Sequence, residues 1–151
     1  MTWFHEVTGD ISRLPDALEY FEAEYLAASR EVRLLGRIEK QSSDIPAIVE
    51  QRFSQLQEIE AILENLNLEL RRIKTRHFKK YLESYNRALS SRDAEKYADG
   101  EDEVLDHEAL INEVALMRNK WLGIIKSLDS KQFQLNNITK LRCAGLDDAS
   151  I

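Results

Sequence analysis

Apolar residues recur at helical spacing along most of this chain. Leu18, Phe21, Tyr25, Leu26, Val32, Leu35 and Ile38 predict a first helix over about 14–41. Pro15 suits its first turn, and Asp16 and Glu19 lie where the helix dipole favours acids. The residues before Asp10 read as an acidic, loosely structured opening. Gln41-Ser42-Ser43-Asp44 reads as a break, with Ser43 or Asp44 as the cap of the next helix and Pro46 in its first turn.

No breaker follows until about residue 90. Leu56, Ile59, Leu63, Leu66, Leu70 and Ile73 alternate spacings of three and four, which is a heptad seam. A helix over 45–88 would be about 65 Å long at 1.5 Å per residue, more than a small globule can cover. Residues 90–104, with two serines, Gly100 and a run of acids, read as an acidic hinge. A third helix is expected over about 105–142. Its seam runs through Leu110, Val114, Met117, Trp121, Ile124 and Leu128 and resumes at Leu135 and Ile138. Gly145 is a fitting stop, with Lys140 and Arg142 suited to the last turn.

Two such seams predict an all-α fold of long helices, a helical hairpin or coiled-coil assembly that forms a homo-oligomer. The eight seam residues of the third helix are the expected oligomerisation contacts, with a monomeric helical hairpin as the alternative. The expected organisation is an N-terminal helical region over 1–89, the hinge over 90–104 and oligomerisation helices over 105–151.

Composition supports the helical class. Five glycines and two prolines in 151 residues are too few for the turns of an all-β fold. The single cysteine forbids a disulfide framework and, with scattered histidines, leaves no Cys/His zinc site, so no metal and no cofactor are expected. Cys143 reads as an incidental thiol. Apolar runs are too short to span a bilayer, and Met1-Thr2-Trp3-Phe4-His5-Glu6 is too polar for a signal peptide.

The net charge of -6 argues at first against nucleic acid, but the charges are segregated. Residues 44–69 net −5, 71–92 net +7, 93–113 net −8 and 118–142 net +5. With a Debye length of about 8 Å at physiological salt, a ligand at one block hardly feels the total. In the positive block Arg72, Arg76 and Lys79 or Lys80 form one helical stripe, flanked across a neighbouring face by Arg71, Lys74 and Lys79. Phe78, Tyr81 and Tyr85 lie between and after them. Cations interleaved with rings suit single-stranded nucleic acid without sequence preference. The plainer readings are a solvated helix face, or pairing with the acids of 93–113 in another subunit. A basic amphipathic helix on a membrane fits less well beside tyrosines and acidic blocks.

No catalytic arrangement is present: no glycine-rich phosphate loop, no framed nucleophile and no His-Glu-x-x-His pair, so an enzyme is not expected. A calcium loop with Gly100 at its sixth place would put Tyr97 third, where tyrosine is no ligand. The run from Asp93 to Glu103 therefore reads as a solvated linker.

The stretch from Ser90 onward, with its tyrosine-bearing acidic linker, Trp-Leu-Gly-Ile-Ile at 121–125, Ile-Thr-Lys-Leu-Arg at 138–142 and Ala144-Gly145, resembles the UvsY family of phage recombination mediators. The resemblance covers about residues 70–149. It implies a small all-helical protein in the cytoplasm of the infected bacterial host. Such a protein forms a hexamer- or heptamer-like ring, binds single-stranded DNA and helps load a RecA-like recombinase onto DNA coated by the phage single-stranded-DNA-binding protein. It further implies contact with both proteins, assembly through the C-terminal helices, and DNA contact at Lys74 and Arg76, with Lys79 and Lys80 close by. The N-terminal half has no counterpart in that family pattern.

Overall fold

The computed structural model describes residues 2–84 and 89–146. It contains α1 (Trp3–Gly9), a 3-10 turn (Ile11–Arg13), α2 (Leu14–Glu31), α3 (Ile38–Glu83), α4 (Ser91–Asp99) and α5 (Asp102–Cys143), with no strand among the described residues. The all-α expectation therefore holds.

Long-range contacts fix the arrangement. His107 of α5 bonds the Leu66 carbonyl of α3, and Trp121 of α5 lies beside Arg52, so α5 runs antiparallel to α3. Lys120 reaches Glu22 and Lys131 reaches the Glu31 carbonyl, so α2 runs alongside α5 in the same direction. The result is a three-helix bundle at the N-terminal side of α3. Beyond Leu66, α3 continues with α4 and the start of α5 against it.

The bundle core takes Leu14, Ala17, Phe21 and Ala28 from α2, and Leu56, Ile59, Ile62, Leu63 and Leu66 from α3. From α5 come Val114, Met117, Trp121, Ile124 and Leu128. The expected oligomerisation seam of α5 thus supplies one side of this core. Val114, Met117, Trp121, Ile124, Leu128 and Leu135 are buried within one chain, and Leu110 and Ile138 are half-buried. From Leu110 to Leu128 the seam packs with α2 and α3, and its six buried side chains are covered within one chain. The physical reason is that alternating three and four spacing serves a bundle packed on its own helices as well as a coiled coil between chains.

Helix boundaries also differ. The break after the first helix falls at 32–37, where Gly36 takes φ +92, a conformation that side-chain-bearing residues rarely adopt. Gln41, expected to break the helix, instead sits in α3 and braces the turn: it accepts from the Leu35 N–H at 3.2 Å and donates to the Gly36 carbonyl at 3.0 Å. Pro46 lies inside α3 rather than in its first turn, and leaves the Ser42 carbonyl without its helical donor. The opening segment forms α1, which buries Val7 and hangs the Phe4 N–H on Glu58 at 3.0 Å. The expected hinge over 90–104 is largely helical, because Ser90 caps α4 by accepting from the Asp93 N–H and donating to its carboxylate. At the far end, Gly145 at φ +77 closes α5 as expected, with Leu146 N–H bonded to the Leu141 carbonyl.

One polar cluster crosses the core. Arg52, only 3% exposed, donates to Glu24 at 2.6 Å, to Glu31 at 3.0 Å and to Gln55 at 2.9 Å, and its guanidinium lies 5.7 Å from the Trp121 ring. It ties α2 to α3 in one register. The Gln55 amide and the Arg52 guanidinium hold the Glu24 carboxyl below the ordinary glutamate value. A lowered carboxyl contributes stability above its unfolded value and loses it as pH falls toward the native one. Melts of wild type and Glu24→Gln should therefore differ most near neutral pH and converge as pH falls through the glutamate range.

Candidate nucleic-acid interface

The last third of α3 carries the cations singled out in the sequence, and the structure divides them between two faces. The first face is covered. Lys74 Nζ lies 3.3 Å from Asp99 and 3.4 Å from Glu108. Arg76 donates to Glu103, and His77 Nε2 stands 2.8 Å from the other oxygen of that carboxylate. The Tyr81 hydroxyl donates to Glu101, and its ring stacks on Tyr97 at 5.4 Å with 29° between planes. The acids read as a solvated linker thus lie across the positive helix of their own chain.

This contact shapes the protonation of its members. Burial works to lower the Lys74 ammonium, but Asp99 and Glu108 outweigh it and hold the group above its ordinary value. Glu103 is held low by Arg76 first and His77 second, and Arg76 is raised in return. The buried His77 Nδ1 finds no hydrogen bond among the described residues and lies 3.8 Å from Glu101.

The second face is open. Arg71, Arg72, Thr75 and Lys79, with Leu68 and the edge of Arg76, line a shallow shelf of about 460 Å³. Arg72 meets Glu69 at 2.6 Å and Arg71 stands 3.9 Å from Glu64, all four on the exposed side of α3 itself. Exposed pairs of this kind contribute little and give way to salt or to a competing phosphate. Lys79 has no ion pair among the described residues. Lys80 lies 5.7 Å from the Tyr81 ring, between the two faces.

Between α3 and α4 runs a cleft of about 520 Å³, lined by Lys74, Thr75, Phe78, Ser91, Arg92, Glu95, Ala98 and Asp99. Thr75 borders both the cleft and the shelf. The sequence pattern missed the α4 side of this cleft. The signal for it was Ser90-x-x-Asp93, a cap that turns the supposed hinge into a helix.

The structure therefore brings Arg71, Arg72 and Lys79 together on one accessible face. It places Lys74, Arg76 and Tyr81 in contact with the acids of 99–108 and leaves Lys80 at the boundary. Tyr85 lies outside the described residues. Among the described residues no helix is long and apolar enough to cross a membrane. No family model, curated protein or solved structure matches the chain.

Proposed function

We propose that this is a non-enzymatic protein that binds single-stranded DNA along the open cationic face at the end of α3. The observation that carries the reading is the shelf of Arg71, Arg72, Thr75 and Lys79, whose cations meet, among the described residues, only acids on the exposed side of their own helix or none. Phosphates displace such weak partners and release counterions, which gives affinity without sequence preference.

Within that class, the particular role is that of a recombination mediator. The protein holds single-stranded DNA while a RecA-like recombinase replaces the phage single-stranded-DNA-binding protein, in the cytoplasm of the infected host. The support is the resemblance of residues 70–149 to the UvsY family, with DNA contact moved one helix face away from Lys74 and Arg76. Assembly into a hexamer- or heptamer-like ring would multiply the shelf, and linked sites raise avidity by roughly 10²–10⁴ over a single site. With the α5 seam buried, that assembly would draw on apolar side chains left outside the chain, among them Leu26, Phe53, Leu116 and Phe133.

The competing reading is a scaffold whose acidic and basic blocks pair between copies. Lys74, Arg76 and His77 already meet the 99–108 acids inside one chain, which weakens the motive for pairing between copies. Fluorescence anisotropy with labelled oligo-dT separates the two. Salt-sensitive binding at micromolar protein is expected; its absence at low salt favours the scaffold.

A further inference from the structure

We infer that the cleft between α3 and α4 holds one unstacked base of the bound strand, with Phe78 and Arg92 on its two walls and Glu95 at its polar side. The inference rests on the single-strand reading and deepens it. Three observations carry it.

The first is position. Thr75 is common to the cleft and to the shelf of Arg71, Arg72 and Lys79, so a backbone lying on those cations passes the mouth of the cleft. The second is chemistry. The α3 wall supplies the half-buried Phe78 ring, and the α4 wall supplies the Arg92 guanidinium, two groups on which a base can stack. Glu95 is exposed and, like Arg92, makes no ion pair or hydrogen bond among the described residues. Its carboxylate accepts from the N–H groups that every natural base carries, so the cleft tolerates any sequence. The third is elimination among the rings. Tyr81 is stacked on Tyr97 and bonded to Glu101, so Phe78 is the ring of the described basic segment that faces an open volume. At about 520 Å³ the cleft lies within the 300–1,000 Å³ range typical of small-molecule sites.

The test compares two fluorescein-labelled strands of equal length and phosphate number, one oligo-dT and one of abasic deoxyribose units. Wild type should prefer oligo-dT by roughly 5- to 150-fold, the effect of stacking one base. Phe78→Leu should abolish most of that preference while leaving abasic-strand affinity and its salt dependence unchanged, and Phe78→Tyr should retain it. Arg92→Ser removes an exposed side chain with no partner among the described residues, so it keeps the test open if Phe78→Leu fails to fold. It should lower the oligo-dT to abasic ratio, whatever it does to both strands through lost charge. Equal binding of the two strands by wild type, or a ratio indifferent to both substitutions, overturns the base cleft and leaves strand binding standing. Salt-insensitive or absent binding of both strands overturns the underlying reading instead.

Discussion

Replacing Trp121 by alanine should destabilise the protein by about 3–5 kcal/mol, the cost of emptying a buried aromatic site. Trp121 is 0% exposed and sits where α2, α3 and α5 meet. Its loss also strips the Arg52 guanidinium of the ring beside it. For a chain of this length that translates to a melting temperature lower by roughly 6–20 °C. Trp121→Phe should cost far less, because it keeps an aromatic face and deletes an indole N–H that has no acceptor among the described residues. Thermal unfolding followed by far-ultraviolet circular dichroism checks both. A loss below about 1 kcal/mol for Trp121→Ala would mean that α5 is not seated on α2 and α3.

The second large effect concerns binding. Substituting Arg71, Arg72 and Lys79 together by alanine should lower affinity for oligo-dT about fifty-fold at about 0.15 M salt. The figure follows from three lost phosphate contacts, each releasing about 0.7 of a counterion from a single strand. Stability should hardly change, since alanine is a better helix former than any of the three and their ion pairs are exposed. Lys74→Ala is the informative contrast. It removes a cation already engaged by Asp99 and Glu108, so its effect on binding should be much smaller than the loss of any open-face arginine. Anisotropy titrations of the variants at one salt concentration read out both.

Much of the fold was legible along the chain, and the failures have a common form. The seam spacing identified Leu56, Ile59, Leu63 and Leu66 on α3 and Val114, Met117, Trp121, Ile124 and Leu128 on α5 as buried. Periodicity names the buried face without naming what buries it: the α5 spacing fits a partner copy or the same chain, and α2 and α3 cover Val114 to Leu128. Local chemistry misled at 41–44, where Ser-Ser-Asp read as a break; Gly36, five residues earlier, supplies the positive φ that makes the turn. The candidate site shows the same limit. Counting charges located the positive stretch correctly at the end of α3. Which cations stay accessible depends on where α4 and the start of α5 lie, and no spacing within 71–80 encodes that. Arg52 is the lone base among six acids over 44–69, but the charge count gives neither its burial nor its two carboxylate partners on α2.

The central claim is that the open face of α3 binds a strand through its phosphates. It is tested most directly by the affinity of wild type for labelled oligo-dT between about 0.05 and 0.3 M salt. Engagement of Arg71, Arg72 and Lys79 predicts a slope of log K against log salt of about −2 or steeper, and a slope shallower by about 2 in the triple alanine variant. A flat dependence, or a slope that the triple substitution leaves unchanged, would contradict it.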